Sequence, residues 1–190
     1  DLPVAELRSG MAEVLKCGFI ADARILERFE ADPAAALDPA SPVLAELIVR
    51  GIEVKAGAVT GDLRETSGSR GTGIGREAVN YGHTLGHALE KLEHHTIRHG
   101  EAISVGMVFV AELAHRTGHI DTALLQRHRA VLAAAGLPID HEGLAWPDVL
   151  AAMRLDKKSR GNELRFVVLD ALGSPAILAG PDESLLADCF

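Results

Sequence analysis

Aromatic residues supply only 4 % of this 190-residue chain, although hydrophobic residues make up 47 %. The core must therefore be built from Ala, Leu, Val and Ile. Such side chains suit helix-on-helix packing, because small residues let helices approach closely. Positive charge is also short, with a net charge of −8. A nucleic-acid binder normally presents a basic face, and none is evident. Long apolar runs are missing: stretches such as Ala102 to Ala111 are interrupted by Ser and Gly and fall short of a bilayer span. The start, Asp1-Leu-Pro-Val, has no basic region followed by an apolar stretch, which predicts no secretion signal. Cysteine is limited to Cys17 and Cys189, neither in a CxxC motif, which predicts reduced thiols and a cytoplasmic setting. No βαβ alternation occurs, so no nucleotide-binding parallel sheet is expected within this chain.

What is present is mostly helical periodicity. Leu7, Met11, Val14, Leu15 and Phe19 recur at helical spacing and predict a helix over Val4 to Glu30. Residues Ala31 to Ala40 read as loop or short turns. Ser41 is placed to cap a helix with Pro42 at its first position, running to about Ala58. Thr60 to Gly75 is glycine-rich and predicts an exposed loop. Helical pattern returns over Arg76 to about His94 and over His99 to Thr117. Asp121 caps a further helix ending near Ala135, before Gly136-Leu-Pro. Trp146-Pro147-Asp148 opens a helix through Leu155. Leu164 to Leu169 and Pro175 to Leu178 read as a small hairpin turned at Gly173-Ser174. Pro181-Asp182-Glu183 opens a last short helix. The expected fold is mainly α, one multi-helical domain over residues 1–190 with a small antiparallel β-hairpin near the C-terminus.

The strongest local signal is Gly82-His83-Thr84-Leu85-Gly86-His87. Histidines at this spacing share a helix face, and such pairs often hold a metal. Glycines within one helical turn weaken it, which implies a close approach by a ligand or by a neighbouring helix. His99-Gly100-Glu101-Ala102 opens an apolar helix. The helix dipole there disfavours a protonated imidazole, leaving the neutral form a metal needs, and the alternative reading is a plain surface histidine at a helix start. Glu13 and Lys16 form either an ordinary surface pair or part of a buried site. Glu13 lies on a segment expected to be largely buried, and a buried carboxylate needs a partner such as a metal. One carboxylate with two imidazoles is a known catalytic zinc set with coordination left open. His94 and His95 read as polar helix-end residues, and His115, His119, His128 and His141 as surface. Lys55, Arg76, Lys157 and Lys158 form a cationic set, and the basic run at Asp156 to Gly161 reads either as a solvated turn or, beside a divalent metal, as a receiver of phosphate or carboxylate.

Taken together, these motifs resemble 3-dehydroquinate synthase, of the sugar phosphate cyclase family, in its C-terminal metal-binding domain. The matching pieces are Leu2-Pro3-x-x-Glu6, Ser9-Gly10-x-Ala12-Glu13-Val14-x-Lys16, Asp62-x-x-Glu65, Arg76-x-x-x-Asn80-Tyr81-Gly82-His83-Thr84-x-Gly86-His87-Ala88-x-Glu90, His99-Gly100-Glu101-Ala102 and Asp156-Lys157-Lys158. The resemblance implies Glu13, His83 and His99 as ligands of Zn2+ or Co2+. It implies His87 beside the substrate, Glu65 supporting the pocket, and Lys16, Lys55, Arg76, Asn80 and one of Lys157 and Lys158 on substrate phosphate, carboxylate or hydroxyls. His87, Lys16 and Glu65 are the residues it implies for catalysis. Leu2 and Glu6 would be the last contacts to NAD, held mainly by an N-terminal domain that this chain does not contain. The implied substrate is a small sugar phosphate and the implied assembly a homodimer, with no nucleic acid or membrane partner. Competing readings are a sister cyclase making an amino-dehydroquinate, an inosose or a valiolone, a metal-dependent glycerol or alcohol dehydrogenase, and a non-enzymatic helical interaction domain.

Overall fold

The computed structural model describes residues 2–65, 75–157 and 163–190, the side chains of 59–65 and 156–157 excepted. The helices are α1 (Val4–Ile20), α2 (Ala23–Ala31), α3 (Pro33–Ala36), α4 (Pro42–Glu65), α5 (His83–Leu92), α6 (His99–Arg116), α7 (Thr122–Ala134), α8 (Trp146–Lys157) and α9 (Glu183–Cys189). A 3-10 helix, Gly75–Asn80, precedes α5, and strands β1 (Arg165–Ala171) and β2 (Ser174–Ala179) follow α8. The mainly α architecture with one antiparallel hairpin is therefore the expected one.

Helix α6 is the centre. It is buried almost all round, from Gly100 through Val105, Phe109 and Val110 to Ala114. A helix apolar on every face belongs inside, not on a surface. Helices α1, α5, α7 and α9 and strand β1 pack around it. Its one buried hydroxyl, Ser104, donates to the Pro138 carbonyl at 2.7 Å, so burial leaves no orphan there. The hairpin lays Phe166, Val167, Val168 and Leu169 inward, and the Gly173 amide donates to the Phe19 carbonyl at 2.9 Å. No helix among the described residues is long and apolar enough to cross a membrane.

Several sequence expectations are corrected. The helix expected over Val4 to Glu30 is two helices, broken at Ala21-Asp22. The Asp22 carboxylate accepts from the Arg24 amide at 3.1 Å and starts α2. Gly18 lets α2 fold back on α1, since a Cβ there would stand 2.7 Å from Leu26 Cδ2. The apolar period runs through this break because both helices bury their hydrophobic face. Ser41 does cap α4, its hydroxyl accepting from Val43 N at 3.1 Å, but α4 continues through Thr60 to Glu65, where a loop was expected. Residues 66–74 of that expected loop lie outside the described residues. The helix expected over Arg76 to His94 is divided at Tyr81-Gly82, with Gly82 at φ 79°.

His128 is corrected from surface to core. It is fully buried, with its ring stacked on Phe19 at 3.8 Å between centroids. A carbonyl only accepts, so Nδ1–H donates to Leu124 O at 2.8 Å, which leaves Nε2 to accept from the Tyr81 hydroxyl at 2.9 Å. His115, His119 and His141 are half-buried, and pair with Thr122, Asp170 and Glu93. Burial pushes the His128 imidazolium pKa down to about 4. The unfolded chain titrates near 6.5 and so binds more protons than the native one between those values. This part of the stability is complete above about pH 6.5 and is lost as pH falls towards about 4. Relative to His128→Gln, the unaltered chain is expected to lose ~2–3 kcal/mol more between neutral pH and pH ~4.5, in denaturant titrations. Parallel losses would contradict this.

Candidate metal centre

Three helices each contribute one ligand-type side chain near an end or a face that meets α6. Glu13 lies on α1, His83 is the first residue of α5 and His99 the first of α6. Two glycines of α6 allow the approach. A Cβ on Gly100 would stand 1.9 Å from the Ser9 carbonyl oxygen of α1, and one on Gly106 would stand 2.0 Å from that of Gly82, which precedes α5. The Gly100 amide also donates to Ser9 Oγ at 3.0 Å. The glycines within Gly82-His83-Thr84-Leu85-Gly86-His87 answer the same need, for a Cβ on Gly82 would meet Met107 N at 2.8 Å and one on Gly86 would meet Ile103 Cδ1 at 2.6 Å. Close helix packing, not a ligand against the backbone, accounts for them.

The result is one compact donor set. Glu13, His83 and His99 each offer an atom within 4.8 Å of the others. Glu13 Oε1 lies 3.8 Å from His83 Nε2 and 3.8 Å from His99 Nε2. The edge of a tetrahedron with bonds of about 2.0–2.1 Å is about 3.3–3.4 Å, so small side-chain shifts close the set on zinc. The tautomers agree. His83 Nδ1–H donates to the Tyr81 carbonyl at 3.1 Å, and His99 Nδ1–H to Glu90 Oε1 at 3.1 Å. Both Nε2 lone pairs therefore face Glu13, which is the orientation that outer hydrogen bonds give to metal-binding histidines. The residues fit a divalent cation.

Electrostatics supports the same protonation states. Burial, reinforced by the Lys16 charge, holds the His83 imidazole neutral with a pKa of about 4. Burial alone would raise the Glu13 carboxyl, but the Lys16 charge and hydrogen bonds from Lys16 and Lys55 bring it to about 2. Lys16 Nζ donates to Oε1 at 2.7 Å and Lys55 Nζ to Oε2 at 2.5 Å. Lys16 is only 1 % exposed, and burial pulls its pKa down while Glu13 raises it. Two ammonium groups around one carboxylate leave a surplus of positive charge, which suits an anionic substrate.

The structure thus brings together Glu13, Lys16, Lys55, His83 and His99. His87 stands one turn after His83, exposed, with ring centroids 5.1 Å from His83 and 6.2 Å from His99. His87, Glu90 and His99 also lie within mutual reach of one ion. However, Glu90 is already engaged by His99 Nδ1, and His99 Nε2 lies 3.8 Å from Glu13 Oε1. Arg76 and Asn80 sit exposed on the 3-10 helix just before α5. Leu2 and Glu6 line a cleft of about 290 Å³ between α1 and α4, together with Val14, Ile52, Lys55 and Glu13. Glu6 also accepts from Arg98 Nε at 2.8 Å. Glu65 and Lys157 end their helices with side chains outside the described residues, and Lys158 lies outside them altogether. Sequence reasoning missed the part played by Glu90. It follows His83 by two helical turns and His87 by one, so helical spacing alone could have placed it on the site face.

A family model described as "3-dehydroquinate synthase C-terminal" matches residues 10–159. The 3-dehydroquinate synthase of Nocardia farcinica is 53 % identical over 189 residues, which cover 100 % of this chain and 49 % of that protein. That of Streptomyces coelicolor is 54 % identical over 190 residues, covering 100 % and 50 %. The chain thus spans about half the length of these relatives. Among solved structures, the valiolone synthase ValA of Streptomyces hygroscopicus, with NAD+ and Zn2+ bound, superposes at TM-score 0.85 and 22 % identity, covering 99 % of this chain and 51 % of ValA. A 2-deoxy-scyllo-inosose synthase superposes at 0.77 with 25 % identity, covering 100 % and 51 %. The fold is theirs, and the family match spans the segment that carries Glu13, His83 and His99, so this chain belongs to the 3-dehydroquinate synthase C-terminal family.

Proposed function

We propose that this chain is the metal- and substrate-binding half of a 3-dehydroquinate synthase, a phosphate-eliminating lyase. The enzyme would convert 3-deoxy-D-arabino-heptulosonate 7-phosphate to 3-dehydroquinate and phosphate in the shikimate pathway, in the cytoplasm and as a homodimer. The observation that carries this is the convergence of Glu13, His83 and His99, with both Nε2 atoms aimed at one carboxylate. The identity of about half to relatives of that name supports the substrate class. Glu13, His83 and His99 would hold Zn2+ or Co2+, and Leu2 and Glu6 would touch NAD from the α1 side of the cleft. Such a cation supplies Lewis acidity to a substrate oxygen, and NAD supplies reversible hydride acceptance, so no net redox change results.

The chain's own residues do the rest. Lys16 and Lys55 keep Glu13 ionised and add positive charge beside it. His87, exposed next to the ligand pair, accepts or donates a hydrogen bond at a substrate hydroxyl and carries its proton. Arg76, Asn80 and one of Lys157 and Lys158 bind phosphate and carboxylate, and cations there stabilise the charge of departing phosphate. Glu65 braces this pocket. Assayed alone, the 190-residue chain is expected to turn nothing over. An enzyme carrying these 190 residues is expected to release inorganic phosphate from the heptulosonate phosphate when NAD and Zn2+ are supplied. Turnover only with an inosose or valiolone precursor would instead indicate a sister cyclase, and NADH accumulation an alcohol dehydrogenase.

A further inference from the structure

The Tyr81 hydroxyl and the His128 ring are both fully buried, and nothing proposed above uses them. They are joined by a 2.9 Å hydrogen bond across 47 residues of sequence. A Phe–Leu pair would fill the same space without burying a hydroxyl and an imidazole, each of which must be satisfied. What the polar pair adds is direction. His128 is fixed in rotation by its Nδ1–H on Leu124 O and by the parallel Phe19 ring, at 11° between planes. Its Nε2 therefore holds the Tyr81 hydroxyl at one point. The Tyr81 backbone carbonyl, in turn, accepts from His83 Nδ1 at 3.1 Å. The next residue, Gly82, is held at φ 79° with its own carbonyl pressed on Gly106.

We infer that Tyr81 and His128 are positioning residues for the metal ligand His83: a buried clamp from α7 sets the Tyr81 carbonyl, and that carbonyl sets the rotation of the His83 imidazole. The clamp rests on the metal centre proposed above. Phe19 continues it into α1, the helix that bears Glu13, so one aromatic stack registers two of the three ligand-bearing segments.

The test is Zn2+ affinity of the full chain, by competition with a chromophoric chelator, with the visible absorption bands of the Co2+ form as a second readout. Tyr81→Phe removes only the hydroxyl, and His128→Phe keeps the ring stack. Each is expected to weaken Zn2+ binding about tenfold and to shift the Co2+ bands. The double variant is expected to be no weaker than the weaker single, because both delete the same Tyr81–His128 bond. His128→Gln, which keeps an acceptor near the Nε2 position, is expected to recover most of the affinity. Leu132→Ala, fully buried on the same helix, controls for lost packing and should lower thermal stability without moving the Co2+ bands. Unchanged affinity and bands in Tyr81→Phe and His128→Phe, or equal effects from Leu132→Ala, would overturn the clamp. If Glu13→Ala and His83→Ala bind Zn2+ as well as the unaltered chain, the metal centre itself fails, and the clamp with it.

Discussion

Gly106→Ala is expected to lower the thermal midpoint by about 4–8 °C and to weaken Zn2+ binding about ten- to a hundredfold. The substitution carries opposing effects. Alanine in the interior of a helix is favoured over glycine by ~1 kcal/mol. Against this, its Cβ would stand 2.0 Å from the Gly82 carbonyl oxygen, well inside van der Waals contact. The obstacle is backbone, and Gly82 is itself wedged against Met107 N and held at positive φ, so it has little room to yield. Helix α5 must move off α6 by about an ångström, and overpacking of this kind costs ~3 kcal/mol or more. For a domain of this size each kcal/mol shifts the midpoint by about 2–4 °C. The displaced residue next in sequence is His83, and disturbing the orientation of a metal ligand costs about ten- to a hundredfold in metal affinity. A midpoint within about 2 °C of the unaltered chain would show that the contact yields more cheaply than this.

Glu13→Ala is the second large effect. Structural zinc sites bind with about 10–16 kcal/mol over four ligands, or roughly 3 kcal/mol per ligand. Losing the carboxylate should therefore reduce Zn2+ affinity at least a hundredfold. Lys16 suffers too. It is 1 % exposed and paired with Glu13 at 2.7 Å, and removal of one member of a buried pair leaves a charge without compensation. Its pKa, already drawn down by burial, falls further. The cost is ~3 kcal/mol, the lower end for a broken buried pair because Glu13 is 23 % exposed, and the metal-free chain bears it as well. Thermal unfolding separates the two losses. Zn2+ at a hundred times its dissociation constant stabilises a binding chain by ~2.7 kcal/mol. The Glu13→Ala chain should melt lower with chelator present and gain nothing from added Zn2+. A full gain would place the metal elsewhere.

The chemistry was more legible than the joints that hold it. His83 and His87 announce themselves because four-residue spacing puts them on one helix face, and Glu13 with Lys16 because three-residue spacing does the same. Spacing could not say which histidine faces Glu13, since that depends on where α5 begins. The break at Gly82 is set by its contact with Gly106, a long-range packing event absent from local periodicity. His128 was misplaced for the same reason. Its helix reads as Thr122-Ala-Leu-Leu-Gln-Arg-His-Arg, polar around the histidine, and its partners Tyr81 and Phe19 come from distant segments. The junction at Ala21-Asp22 was legible in principle. Asp22 is a good cap residue, but an apolar pattern shared by α1 and α2 ran across it.

X-ray absorption at the zinc K-edge of the Zn2+-loaded chain measures the central claim most directly. The account predicts one zinc per chain with two imidazole nitrogens at about 2.0–2.1 Å and carboxylate oxygen completing the protein set, one imidazole disappearing in His83→Ala and one in His99→Ala. A coordination shell without imidazole, or one unchanged by both substitutions, would contradict it.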